Sequence, residues 1–383
     1  MTAVPRKLRY AMVGGGPGAF IGAVHRMAAA LDGEMDLIGG AFSSSAERSA
    51  EQGRLLHLDP DRVHGSWQEL LAAEAARSED DRIDFVSIVT PNALHFPIAK
   101  AAMEAGFDVV CDKPMTTTVE EAEELCRLAS ATGRVFVLTH NYTGYPMVKQ
   151  ARAMVAAGDL GAVRKVVVEY PQGWLATLLE ATGQKQASWR SDPAMAGISS
   201  ALGDIGTHCE NLVHYVTGLE MDEMIADLGT VVEGRAMEDD ASILIRYAGG
   251  ARGILYASQI SVGEENNLAL RVYGERAALV WRQEHPNRLH LISNDGPEQI
   301  LKRGNGYLSA AAAHASRIPP GHPEGFIEAF ANIYRAASAA IRSRVIDDAP
   351  TAQDGARGVH FIHTAVRSSA ARAWVDASYT PPD

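Results

Sequence analysis

Cysteine is scarce in this chain: only Cys111, Cys126 and Cys209 occur among 383 residues, and no two of them form a CxxC pair. Three scattered thiols exclude a disulfide framework and argue against a thiolate zinc site or a dithiol redox motif; they suit a reducing compartment. Positive charge is also in deficit, with 35 Lys and Arg against 47 Asp and Glu, a net charge of −12. Such a surface repels nucleic acid phosphates and anionic head groups, so neither a nucleic acid partner nor a membrane-surface role is expected. No stretch approaches the roughly 18 apolar residues of a spanning helix. The N-terminal MTAVPRKLRYAMVGGG reaches its glycines before an apolar signal-peptide core can form. A cytoplasmic location is expected. There is no internal repeat, and the one alanine-rich tract, Ala310 to Ala313, is expected in a loop.

What the chain has is ordinary globular composition, 46% hydrophobic and 21% charged, at a length that exceeds one core. Two domains are expected, 1–140 and 141–383. In the first, apolar runs (LRYAMV from Leu8, LIGGAF from Leu37, FVSIV from Phe85, FDVVC from Phe107, VFVLT from Val135) alternate with helical patterns. Continuous β-branched runs separated by helices indicate a parallel, doubly wound α/β sheet buried on both faces. Beyond Asn141 strands follow one another: Val163–Tyr170, Met224–Val232, Ala241–Tyr247, Gly253–Gln259, Ala269–Tyr273 and Ala277–Arg282. Short turns between them indicate a large, mainly antiparallel open sheet, covered by helices near 204–217, 323–342 and 356–375, an α+β domain.

Gly14-Gly15-Gly16-Pro17-Gly18-Ala19 follows the first strand and opens a helix, the context of a dinucleotide fingerprint. Such glycines admit a pyrophosphate to the backbone N–H groups at the helix start. The second strand ends in Ser43, Ser44 and Ser45 with Arg48 behind, where a carboxylate would hold the ribose of NAD. NADP is therefore not repelled, and the serines suit a bare ribose equally or serve as helix caps, so NAD or NADP is expected. Thr90, Asn92 and His95 follow one strand and Asp112-Lys113-Pro114 another, both at the sheet edge where open α/β sheets bind ligands. Pro114 keeps Lys113 out of helical geometry.

The glycine loop, TPNxxH and DKP together closely resemble the Gfo/Idh/MocA oxidoreductase family. Gly203-Asp204-Ile205-Gly206-Thr207-His208 resembles its DxGxH segment, and His322-Pro323-Glu324-Gly325-Phe326 the opening of its C-terminal helix. The resemblance implies a Rossmann domain followed by the α+β domain, and a nicotinamide cofactor. It implies that Lys113 touches both nicotinamide ribose and substrate, that Asp204 binds substrate and that His208 is the base. The chain departs from the family in two places: Asp112 replaces a glutamate, and the GxxH of the loop, Gly22 to His25, comes after a three-residue extension. The resemblance further implies a homo-oligomer, a dimer or tetramer, joined through the open face of the second sheet.

Independently of the resemblance, Asp204 and His208 are four apart and would share one helix face. Histidine accepts a proton near neutrality without special tuning, so activity limited by His208 would fall as pH drops through about 6 to 7. Trp174, Lys185, Trp189 and Arg190, between the two sheets, offer indole faces and cations to a sugar-like substrate, and Asn141 and Tyr142 flank the domain junction. No metal is needed. The expected activity is hydride transfer between a secondary alcohol of a sugar, glycoside or cyclitol and NAD or NADP. The same residues serve an NAD-dependent glycosidase of this family, for which Lys185 and Arg190 would suit an anionic glycoside. A nucleotide sensor without turnover is disfavoured by the presence of Lys113, Asp204 and His208 together.

Overall fold

In the computed structural model, residues 6–383 are described and form two β-sheets. The first is built from β1 (Leu8–Gly14), β2 (Met35–Ala41), β3 (Phe85–Val89), β4 (Asp108–Cys111) and β5 (Phe136–Leu138), all paired in parallel in the order 2-1-3-4-5. Every residue of β3, β4 and β5 is buried, as both faces of a covered parallel sheet require. Helices α1 (Phe20–Leu31), α2 (Ala46–Leu55), α3 (Trp67–Ala75), α4 (His95–Glu104) and α5 (Val119–Thr132) connect the strands. Several starts are set by capping side chains: Ser45, Ser66 and Thr118 each accept a bond from the amide three residues on.

After α6 (Pro146–Ala156) the chain enters the second sheet with β6 (Val163–Pro171), then passes through α7 (Lys185–Arg190), α8 (Pro193–Ala196) and α9 (Thr207–Thr217). The sheet is completed by β7 (Met221–Gly229), β8 (Asp240–Tyr247), β9 (Arg252–Ser258), β10 (Ala269–Gly274), β11 (Ala277–Arg282), β12 (Arg288–Ser293) and β13 (Gln299–Lys302). Three further helices, α10 (Ala310–His314), α11 (Phe326–Ser343) and α12 (Ala352–Ala371), precede the edge strand β14 (Val375–Asp376). The order is 13-12-11-10-6-9-8-7-14, antiparallel except for the parallel β6–β9 pair at its centre. One face packs on α6 and α9. The other presents Leu244, Tyr273, Ile292 and Ile300, each more than a third exposed.

Three features differ from the sequence expectation. Ala310–His314 is a short helix rather than a loop, because Ser309 caps the amide of Ala312. α12 starts at Ala352, four residues early, because Thr351 and Asp354 form a reciprocal capping box. The late helices do not simply cover the second sheet. α11 buries Phe330, Ile333, Tyr334, Ala337 and Ile341 against α1 and the parallel sheet. α12 gives Ala352, Ala356 and Val359 to the parallel sheet's core and Phe361, Ile362 and Ala365 to the other. The chain's end thus fastens both layers around the junction.

Candidate functional site

The strand order reverses between β1 and β3, and such a switch point opens a crevice beyond the carboxyl ends of the strands. A cavity of about 990 Å³ lies there and extends to the ends of β6 and α9. Its upper wall is the glycine loop. A Cβ on Gly14, whose φ is +91°, would stand 2.7 Å from the Val89 carbonyl oxygen; one on Gly16 would stand 2.5 Å from that of Phe42. A Cβ on Gly22 would meet the Gly15 Cα at 2.4 Å. Gly22 therefore performs the close helix-to-loop packing of the third fingerprint glycine despite the three-residue extension. Pro17 and Ala19 line the cavity with Gly14 and Gly16; Gly18, at φ +76° with open space around it, serves the turn instead.

At the end of β2, Ser43, Ser44 and Arg48 line the same cavity, while capping of α2 falls to Ser45. The acidic residues lining the cavity are Asp112, Asp204 and Glu265, none of them at this end. Thr90, Asn92, Asn141 and Tyr142 also line it, as do Trp189 and Arg190. Three expected residues stand elsewhere. His95 is buried behind the wall, its ring nitrogens 2.9 Å from the Thr90 carbonyl oxygen and 2.8 Å from that of Pro114, so it braces two loops rather than touching a ligand. Trp174 sits one step back, donating to Gln172 at 3.0 Å, and Gln172 faces the cavity in its place. Lys185 lines the cavity, but at the glycine loop: its Nζ donates to the Pro17 carbonyl at 3.3 Å, far along the chain from the expected substrate contacts.

The opposite end gathers the polar chemistry. Lys113, held by a cis peptide to Pro114, donates from Nζ to the Asp204 carboxylate at 2.8 Å and to its backbone oxygen at 2.6 Å. Gln259 donates to the other carboxylate oxygen at 2.9 Å, and the Arg190 Nε lies 3.2 Å from it, poorly aligned for a hydrogen bond. Burial alone would raise the Asp204 carboxyl; the charges of Arg190 and Lys113 outweigh it and hold the group below the ordinary carboxylate range. Asp112 accepts from Thr139 at 3.1 Å and from the Lys113 amide at 2.9 Å, fixing the loop that carries the lysine.

Asp204 and His208 do not lie on one plain α-helix. Leu202–Gly206 is a π-helical turn that leads into α9, and such wider turns recur at functional sites. Two contacts fix it. Glu238 accepts from the Ser199 hydroxyl at 2.7 Å and from the amides of Ser200 and Leu202 at 2.8 and 3.1 Å. A Cβ on Gly206 would strike the Leu202 side chain at 2.4 Å and reach Ala257 of β9 at 3.5 Å, which explains the glycine. His208 lines the cavity among aromatic rings, edge-on to Tyr142 and His140 at 4.7 and 5.5 Å between centroids. Burial, with Lys113 and His140 beside it, pushes its pKa well below 6.5; Asp204 opposes this. The expected titration through pH 6 to 7 is corrected accordingly, since burial disfavours the imidazolium. Tyr142 bonds to Tyr170 and Asn266, and burial pushes it up to about 12.

A nicotinamide dinucleotide fits the residues present. The glycine loop is tight against β3 and α1, and the buried Thr90 Oγ1, Asn141 Nδ2 and His208 Nδ1 have no hydrogen-bond partner among the described residues, so polar atoms of the cavity wall remain to be satisfied. Among the described residues no cluster suited to a metal ion occurs, and no helix is long and apolar enough to cross a membrane. Tyr170, Gln172, Gln259 and Asn266 were not legible as site residues: Tyr170 reads as an ordinary strand residue, and the other three lie just past a strand end or in the following loop with no local motif.

The sequence matches an oxidoreductase family with an NAD-binding Rossmann fold over residues 8–142 and the GFO/IDH/MocA C-terminal domain over residues 148–280. An uncharacterized oxidoreductase of Bacillus subtilis is 35% identical over 97% of this chain and 98% of its own. Levoglucosan dehydrogenase of Pseudarthrobacter phenanthrenivorans is 28% identical over 73% of this chain and 80% of its own. The crystal structure of an inositol dehydrogenase homolog from Azotobacter vinelandii with NAD+ superimposes with a TM-score of 0.94 at 38% identity, covering 98% of both chains. In complex with NADH and myo-inositol it superimposes with a TM-score of 0.91, covering 97% of this chain and 98% of that one.

Proposed function

The chain belongs to the Gfo/Idh/MocA family of oxidoreductases, and from that premise we propose that it oxidises a ring secondary alcohol of a neutral cyclitol or sugar, and reduces the corresponding ketone. The observation that carries this reading is the triad at the cavity floor, Lys113 fastened to ionised Asp204 with neutral His208 one turn on. A bound nicotinamide dinucleotide supplies the acceptor for the hydride that leaves the carbinol carbon. His208, kept neutral by burial, takes the hydroxyl proton. Lys113 places a positive charge where negative charge grows on the substrate oxygen, a contribution that strengthens toward the transition state. Asp204 holds Lys113, Arg190 and Gln259 in one arrangement. Tyr142, bonded to Tyr170 and Asn266, lines the cavity beside His208 as a wall and hydrogen-bond partner.

Tyr170, Gln172 and Asn266, uncharged and polar on a cavity wall that also carries Trp189, favour a polyhydroxylated neutral ring. The anionic-glycoside reading loses its two cations, since Lys185 lies on Pro17 and Arg190 is paired with Asp204. We also propose that residues 1–140 form the dinucleotide-binding unit and 141–383 the substrate and assembly unit, and that the apolar outer face of the second sheet joins subunits. Incubation with NAD, then NADP, across cyclitols, sugars and glycosides tests the activity by reduced cofactor and released aglycone. Reduced cofactor without aglycone supports a dehydrogenase; aglycone release with no net reduction supports the glycosidase; neither product with any compound defeats the proposal.

A further inference from the structure

We propose that Lys185 and Arg48 form a cationic clamp on the phosphates of the bound dinucleotide, and that α7 thereby transmits cofactor binding to the substrate end of the cavity. The two cations come from distant parts of the chain and converge on one neutral oxygen: Lys185 Nζ is 3.3 Å and Arg48 Nη2 3.4 Å from the Pro17 carbonyl. Neither forms an ion pair among the described residues, although the chain carries a net charge of −12. Two like charges on one carbonyl repel, and both burial and the neighbouring Arg48 lower the Lys185 pKa. An anion placed between them removes that repulsion and gains two charge-assisted bonds. Pro17 belongs to the loop whose glycines mark the approach of the dinucleotide phosphates, so this inference rests on the cofactor reading and deepens it.

The second half of the inference follows from the length of α7. Its six residues begin with Lys185 and end with Arg190. Arg190 lies 3.2 Å from the Asp204 carboxylate and stacks over Trp189 with its guanidinium 4.2 Å from the ring centre. One short helix thus has its first side chain on the cofactor loop and its last two at the substrate end. When a phosphate fixes Lys185, it also restricts Trp189 and Arg190, so the substrate wall is ordered by the cofactor. Lys185 is a cofactor-binding and positioning residue in this account.

The test is calorimetric titration of the full-length protein with NAD and with NADP, for wild type, Lys185→Ala and Lys185→Arg, paired with hydrogen exchange of residues 184–191 at saturating NAD. Lys185→Ala is expected to raise the Kd by about tenfold and to flatten its dependence on salt, with Lys185→Arg close to wild type. Loss for both dinucleotides places Lys185 on the pyrophosphate; loss for NADP alone places it on the 2′-phosphate; either supports the clamp, and unchanged Kd for both overturns it. NAD should slow exchange across α7 in wild type and fail to do so in Lys185→Ala at equal occupancy. Equal protection in both overturns the coupling. Failure of the wild type to bind either dinucleotide would instead defeat the cofactor reading itself.

Discussion

Replacing Asp204 by Asn removes one charge from a cluster of four polar side chains and leaves its shape nearly intact. The carboxylate now faces Lys113 and Arg190, whose side chains are 13% and 19% exposed, and accepts from Gln259. Breaking a fully buried pair costs about 3 to 5 kcal/mol. Here Lys113 keeps its 2.6 Å bond to the Asp204 backbone oxygen and both cations retain some water, so a loss near 2 kcal/mol is expected. The folded Asp204 pKa is depressed, so its stabilisation is present above the unfolded value of about 3.9 and is lost only as pH falls through the lower folded value. The stability gap between variant and wild type should therefore hold steady from about pH 5 upward and narrow only in stronger acid. Turnover should fall about a hundredfold because the carboxylate no longer fixes Lys113 and Arg190 in one charged arrangement, even though Lys113 keeps its bond to the Asp204 backbone oxygen. Asp204 is also the group that raises the His208 pKa, so the acid limb of kcat/KM should move to lower pH in the variant. Urea unfolding across pH and a pH–rate profile measure all three. An acid limb that stays put or moves upward, with unchanged stability, would refute the electrostatic coupling of Asp204 to His208 and Lys113.

Three other outcomes are expected. In the wild type the acid limb of kcat/KM should lie well below the ordinary histidine range, since only neutral His208 accepts a proton and its folded pKa is depressed; a limb at 6.5 would mean that the imidazole is more solvated than its surroundings imply. Gly22→Ala should cost about 1 to 3 kcal/mol and weaken dinucleotide binding, because the new Cβ would overlap Gly15; an unchanged melting temperature would show that α1 moves freely from the loop. Light scattering at micromolar concentration should give a mass above the 41.0 kDa of one chain, and Leu244→Lys on the outer sheet face should lower it; a wild-type monomer would reject that face as an interface.

How much was readable from the sequence depended on whether the signal was local. The strands from Phe85 and Leu8 are short runs dominated by apolar residues, broken only by Ser87 and Arg9, and their parallel arrangement follows from the helices between them. The strands β12 and β13 at one end of the second sheet escaped notice because short, largely exposed segments such as Gln299–Lys302 have no clear alternation. α11 is plainly amphipathic, yet nothing in its spacing says that Phe330 and Tyr334 turn back to the first sheet rather than the second. At the site, Lys113, Asp204 and His208 were legible because motif and position agreed. The π-turn was not, since it depends on Glu238, thirty-odd positions onward, and on the room left by Gly206 against Ala257. Lys185 was read with Trp189 and Arg190 because they are close in sequence; a six-residue helix is long enough to carry it to the glycine loop instead.

The central claim is that His208 is the proton acceptor on a site that otherwise binds and folds without it. The direct measurement compares His208→Ala with wild type on the best alcohol from the panel, recording kcat, the pH profile and the Kd for NAD together. The account predicts kcat down by about a hundredfold to ten-thousandfold, loss of the acid limb, and an NAD Kd within about twofold of wild type. Wild-type kcat with an unaltered pH profile would contradict it and leave the turn from Asp204 to His208 as packing alone.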